Sequence, residues 1–214
     1  MASRNNSAAK TEIIEELKED HKRARQAFRA AEKLDPEEDA EELKEIVDQT
    51  CAELEVHATL EEELFYPVAR EVLKEADLID EAEVEHNSAK ALIAQLREMS
   101  PEDEKYAATF KVLGEYVNHH IKEEENEIFP GLQGRSGAEW EQVQQQMETR
   151  REQLMSEKGL MQEVEEADDD TDAEEASEGA GSRSGASRGG RSSSRGGRAE
   201  GRPQAAGRRE KTKK

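Results

Sequence analysis

Two histidines in this chain are each followed four residues later by a glutamate and ten residues later by a proline: His57, Glu61, Pro67 and His120, Glu124, Pro130. Each lies downstream of a lone histidine that follows an acid, Asp20-His21 before the first and Glu85-His86 before the second. The intervals nearly match, 36 residues from His21 to His57 and 34 from His86 to His120. A unit of that length occurring twice reads as a duplicated helical hairpin carrying two histidines and a carboxylate. Mixed imidazole and carboxylate donors without thiolate suit iron, and are compatible with manganese or zinc. The chemistry His21, His57, Glu61, His86, His120 and Glu124 could do together is to hold cations.

The elements that must position them are helices. Only Gly114 falls in the first 130 residues, and long glycine-free segments rich in Glu, Lys, Leu and Ala favour helix. A segment of about 10–33 puts Ile14, Leu17, His21, Ala24 and Phe28 on one stripe at three- and four-residue spacing. Asp35-Pro36-Glu37-Glu38 has the form of a helix start. The second helix then carries Leu43, Ile46, Val47, Leu54, His57, Glu61 and Leu64 to a bend expected near Pro67. A third, about 80–99, aligns Ile79, Ala82, His86, Ala89, Ile93 and Leu96. Ser100-Pro101-Glu102-Asp103 repeats the start signal, and the fourth helix aligns Tyr106, Phe110, Leu113, Val117, His120, Glu124 and Ile128 before Pro130.

Four amphipathic helices on short polar connections predict an all-α, up-down-up-down four-helix bundle. A fifth, less apolar helix is expected over 138–164, with Trp140, Val143, Met147 and Leu154. The domain plan is a disordered N-terminus over 1–9, the bundle over 10–132, the extra helix, and a disordered tail over 165–214.

A stripe that packs inward takes its polar members inward too. Buried carboxylates and imidazoles need partners, and two carboxylates with four imidazoles can satisfy one another by binding cations. The bland alternative is that these are solvated or hydrogen-bonded side chains of a Glu-rich protein. His119 adjoins His120 and faces about 100° away on a helix. It is read as an exposed neighbour, because His120 alone keeps the steps to Glu124 and Pro130. Asp20, Glu62, Glu85 and Glu125 are candidate acceptors for the second ring nitrogens, though adjacency does not place them. Tyr66, Tyr106 and Tyr116 could shape the pocket but are read first as core, and Cys51, off the stripe, is read as a small buried side chain, with a redox role as the alternative.

Charged residues make up 39% of the chain and the hydrophobic set 33%, so the core must be a narrow stripe on polar helices. Residues 1–162 hold 40 acids and 20 bases, 163–178 ten acids and no base, and 179–214 eleven bases and two acids. The last two stretches cannot bury enough apolar surface to fold alone. The basic part could contact nucleic acid, a membrane surface or an acidic protein electrostatically, or simply solubilise. It contains no aromatic residue for base stacking. One cysteine excludes an intramolecular disulfide. The first residues lack the apolar run of a signal peptide, and no segment is long and apolar enough to span a membrane, so a cytoplasmic location is expected.

Taken together, His21, His57-x3-Glu61 with Glu62-Glu63-Leu64-Phe65-Tyr66-Pro67, His86, and His120-x3-Glu124 with Glu125-Asn126-Glu127-Ile128-Phe129-Pro130 resemble the hemerythrin-like, HHE cation-binding family over about residues 10–132. The resemblance implies a left-handed bundle with a non-haem centre of two iron ions. It implies that His21, His57, His86 and His120 are terminal ligands and that Glu61 and Glu124 bridge. One departure matters: oxygen-carrying members have another histidine four residues after the third-helix ligand, and here that position is Lys90. A protonated lysine cannot ligate, which leaves two histidines per metal and argues against simple reversible oxygen carriage. The reading is a protein binding oxygen, peroxide or nitric oxide, with turnover of peroxide or nitric oxide as an option. The alternative is an iron or oxygen sensor signalling through its C-terminal helix and tail, since metal binding can order a domain.

Overall fold

The first helix of the computed structural model, α1, spans Ala2–Ala31, and the residues described are 2–73, 76–135 and 139–160. Its inward stripe is Ile13, Leu17, His21, Ala24 and Phe28, all buried. The expected unstructured segment 1–9 is helical from Ala2 onward. The reason is a contact the periodicity could not register: Lys10, 8% exposed, donates from Nζ to the carbonyls of Leu132 at 2.7 Å and Arg135 at 3.0 Å. This ties the early turns of α1 to the end of the fourth helix.

Helix α2 runs Ala40–Leu60, α3 Ala76–Glu98, α4 Tyr106–Glu123 and α5 Trp140–Glu157. Both start signals sit ahead of the helices they were expected to open. Asp39 Oδ2 accepts the N–H of Asp35 at 2.9 Å, and Asp103 Oδ2 accepts the N–H of Ser100 at 2.8 Å. Each closes a turn of its own, and the helix begins at Ala40 or Tyr106.

At the two prolines the helices do not stop. α2 widens into a π turn at Glu61–Phe65 and resumes over Tyr66–Leu73; α4 does the same at Glu124–Ile128 and resumes over Phe129–Gly131. A proline inside a helix lacks an N–H and crowds the carbonyl four residues back. Widening the preceding turn, with Tyr66 N–H reaching Glu61 O and Phe129 N–H reaching Glu124 O, accommodates it. Such insertions concentrate at functional sites, and each of these begins on a glutamate of the repeated motif.

Among the described residues the buried apolar side chains form two clusters. One gathers Leu17, Leu60, Phe65, Tyr66, Ile79 and Phe129, and the other Phe28, Val47, Ile93, Tyr106, Phe110 and Leu113. Helix α5 packs across α1 and α2 and adds Trp140, Val143, Met147 and Leu154 to the first cluster. Burial of one such large side chain stabilises the fold by about 1.5–3 kcal/mol, so these four residues, with the ion pairs of Arg150 to Glu63 and Arg151 to Asp20, hold a helix of otherwise polar sequence in place. Among the described residues no helix is long and apolar enough to cross a membrane. The predicted tail, 165–214, lies outside the described residues.

Candidate metal centre

Each bundle helix delivers one histidine from its inward stripe: His21, His57, His86 and His120, all at most 6% exposed. The π turns carry Glu61 and Glu124, both at 0%. The six residues expected from the sequence therefore stand together inside the bundle. His21 and His57 pair with ring centroids 4.9 Å apart, and His86 and His120 at 4.5 Å.

Each carboxylate reaches across both pairs. Glu61 Oε2 lies 3.1 Å from His57 Nε2 and 3.4 Å from His86 Nε2. Glu124 Oε2 lies 3.1 Å from His21 Nε2 and 3.4 Å from His120 Nε2. Two groupings with the mutual spacing of metal donors result, His21, His57, Glu61 and Glu124 on one side and Glu61, His86 and His120 on the other.

The outward nitrogen of every ring is held by an acid, with partners at matched places in the two repeats. The acid before the first histidine of a hairpin holds the second histidine of that hairpin: Asp20 Oδ2 to His57 Nδ1 at 3.2 Å, and Glu85 Oε2 to His120 Nδ1 at 2.9 Å. The acid after each motif glutamate holds the first histidine of the other hairpin: Glu62 to His86 Nδ1 at 3.0 Å, and Glu125 to His21 Nδ1 at 3.1 Å. Carboxylates only accept, so each Nδ1 carries a proton, and the inward Nε2 is the nitrogen left for a metal to take.

A third layer fixes the acids. Four residues after the first histidine of each hairpin stands a cation: Arg25 on Glu125 at 3.0 Å, and Lys90 on Glu62 at 2.7 Å. Lys90 thus has a definite task at the position where a further histidine ligand was absent. Asp20 is held by Arg151 of α5. His119 is 64% exposed and lies 3.5 Å from Glu85 and 3.1 Å from Glu123, outside the inward cluster, as the sequence suggested.

The electrostatics favour positive charge at the centre. Burial by itself would lower the His57 pKa, but the Glu61 charge and the Asp20 hydrogen bond outweigh it and raise the value to about 10. Burial would likewise raise the Asp20 pKa, yet the His57 hydrogen bond and charge and the Arg151 charge bring it down to about 2. Protons here take the place a cation would fill. Among the described residues, four buried atoms of this cluster still make no hydrogen bond: His21 Nε2, His57 Nε2, Glu61 Oε1 and Glu124 Oε2. Leaving polar atoms buried and unpaired is costly, and a cation among them removes the cost. The residues present fit a metal.

Tyr66 is the functional candidate that the sequence reading assigned to the core. Its ring is fully buried, but Oη donates to Glu124 Oε1 at 2.9 Å and lies 3.4 Å from His86 Nε2 and 3.5 Å from Glu61 Oε2. Donors bound to one ion at about 2.1 Å and at right angles stand about 3 Å apart. The phenol oxygen therefore occupies a donor-like place in the half of the site that otherwise has three His and carboxylate groups. The corresponding residue of the other repeat is Phe129, stacked on His21 at 5.8 Å as Tyr66 is on His86 at 5.4 Å. The signal was present: nine residues after the motif histidine, one repeat has Tyr and the other Phe.

A bundle with buried histidines and carboxylates converging from all four helices defines a cation-binding helical protein. The profile of the hemerythrin HHE cation-binding domain matches residues 12–132, 121 of the 214 residues. The chain belongs to this family, and is a metal-binding, hemerythrin-like protein. It is 27% identical over 106 residues to a protein named DNA nickase from Nostoc sp. (strain PCC 7120 / SAG 25.82 / UTEX 2576), covering 50% of this chain and 30% of that one. The chain thus spans under a third of that relative's length. The crystal structure of a hemerythrin HHE cation-binding domain-containing protein from Mycobacterium kansasii superposes with a TM-score of 0.56 at 23% identity, over 66% of this chain and 85% of that one. This last likeness concerns the fold.

Proposed function

We propose that the chain is a non-haem di-iron protein that binds oxygen-derived small ligands, namely oxygen, peroxide or nitric oxide. His21 and His57 would hold one ion, His86 and His120 the other, and Glu61 and Glu124 would bridge them. The observation that carries this reading is the convergence of four imidazoles and two carboxylates in a buried space where four of their atoms lack hydrogen-bond partners. Iron is favoured over manganese or zinc by the mixed nitrogen and oxygen donors and the distance of Cys51 from the site in sequence. Tyr66 supplies a further oxygen on the His86 and His120 side, so the two ions would differ in surroundings.

When bound, a ferrous pair supplies an open coordination position and two electrons. The chain's own residues do the rest. Asp20, Glu62, Glu85 and Glu125 keep each Nε2 aimed inward. Phe65, Tyr66 and Phe129 close the glutamate side to water. Metal analysis of purified protein, with an optical spectrum before and after peroxide, tests the proposal. Two irons per chain with an oxo-bridge absorption band support it; a protein that takes up no iron sinks it.

A second reading, an iron or oxygen sensor acting through α5, is supported by the contact of Arg151 on that helix with Asp20, the acid behind His57. Large metal-dependent changes in proteolysis of the segment after α5, with slow or no peroxide loss, would favour it. Rapid catalytic loss of peroxide would favour the first.

A further inference from the structure

On the side of the histidines away from the glutamates, each bundle helix places one residue a turn further along: Ala24, Leu54, Ala89 and Val117. Two are alanines at matched places, each three residues after the first histidine of its hairpin. Their missing bulk leaves a cavity of about 260 Å3 that all four histidines line. Glu61, Glu124, Phe65, Tyr66 and Phe129 do not line it; that side is filled by packed rings. Beyond Ile93 and Thr50 it ends short of Phe28 and Phe110, whose rings pack 4.9 Å apart where Phe28 occupies the space above Gly114. Tyr116, 51% exposed, is among its outer lining residues.

A cavity of about 150 Å3 with aliphatic walls accepts benzene. This one exceeds that volume and far exceeds what oxygen, nitric oxide or hydrogen peroxide needs. Its walls next to the histidines are aliphatic, which selects an organic group. The cations of its rim are engaged: Arg23 with Asp20 and Glu53, Lys90 with Glu62, Arg151 with Asp20. No unpaired cation waits for a ligand carboxylate, so the ligand's polar end must be neutral and compact.

We propose that this cavity binds a neutral organic hydroperoxide, its alkyl or aryl group on Ala24, Leu54, Ala89, Ile93 and Val117 and its peroxide end toward the histidines. The inference rests on the di-iron reading and names its substrate class. Reduction to the alcohol breaks the O–O bond and consumes two electrons and two protons, giving alcohol and water. Two ferrous ions becoming ferric supply the electrons, and solvent supplies the protons. One iron pair therefore reduces one hydroperoxide.

The test uses the purified full chain with its metal content measured. Titration with 2-phenyl-2-propanol, the unreactive alcohol counterpart of cumene hydroperoxide, is followed by ligand-observed NMR. Saturable binding is expected, weakened by at least about tenfold when Ala89→Phe fills the cavity, and in Ala24→Leu, which fills it from the opposite wall if the first variant folds poorly. In the ferrous protein, one cumyl alcohol per iron pair should form from cumene hydroperoxide, slowed in the filled variants by a larger factor than the reaction with hydrogen peroxide is. No saturable binding, or binding indifferent to both substitutions, overturns the inference. Failure of the di-iron reading shows separately, as a chain that takes up no iron yet still binds the alcohol.

Discussion

Arg151 grips both oxygens of Asp20, Nη1 to Oδ1 at 3.1 Å and Nη2 to Oδ2 at 2.9 Å, while Asp20 accepts the Nδ1–H of His57 at 3.2 Å. The fifth helix is thereby connected to one histidine of the site. The matched acid of the other repeat, Glu85, lies 3.5 Å from exposed His119 and, among the described residues, is paired with no arginine or lysine. Loss of an acid behind a ligating histidine typically lowers metal affinity by about 10–100-fold. Under the proposed two-ion reading, Asp20→Asn should do this for the ion that His57 would hold, and Arg151→Met should do so more weakly. Because both act through His57, the double variant should lose less than the sum of the single losses. Chelator competition with metal counted per chain measures it; additive losses would show that Arg151 and Asp20 act independently.

Tyr66→Phe makes the two repeats alike at this position. The ring fits, and the lost hydrogen bond to the buried Glu124 carboxylate should cost about 1.5–3 kcal/mol in the metal-free protein. Iron should still bind, and any tyrosinate-to-ferric charge-transfer absorption of the native protein should vanish. A native ferric protein whose visible and resonance Raman spectra match those of Tyr66→Phe would remove Tyr66 from the donor set.

His119 and His120 are neighbours in sequence and opposites in setting, 64% exposed side chain against 6% exposed residue. His120→Ala should remove at least one ion per chain, whereas His119→Ala should keep both. Metal content after gel filtration decides between them.

Metal removal should lower the thermal midpoint, because it returns buried carboxylates and imidazoles to an unpaired state. A ligand at about a thousand times its Kd stabilises the folded state by about 4 kcal/mol. The sole tryptophan, Trp140, is buried against Phe65 at 6.1 Å, so its emission reports whether α5 stays docked as metal leaves. Identical melting curves with and without chelator would argue against a metal site of useful affinity.

Cys51 should be inert to alkylation in the folded protein. It is 2% exposed, and burial pushes its thiol pKa up to about 12. Only the thiolate attacks, so raising the pH from 7 to about 9 should leave the rate low, with full reaction appearing on unfolding. Rapid labelling of native protein at neutral pH would contradict this.

The sequence by itself determined the helices, the duplicated hairpin and the inward stripe, because amphipathic periodicity repeats within a few turns and needs no partner to be read. It also placed His21, His57, Glu61, His86, His120 and Glu124 on one face each. What it could not reach were relationships between stripes. Nothing local says that Glu62 serves the histidine of the other hairpin, that Lys10 binds carbonyls at the end of α4, or that Pro67 and Pro130 are absorbed by π turns rather than ending their helices. Only the packed bundle decided that Tyr66 Oη turns to the site while Phe129 remains a wall, and that two alanines leave room beside the histidines. Side-chain type and spacing are properties of the chain, whereas distance across a core is set by how four helices settle against one another.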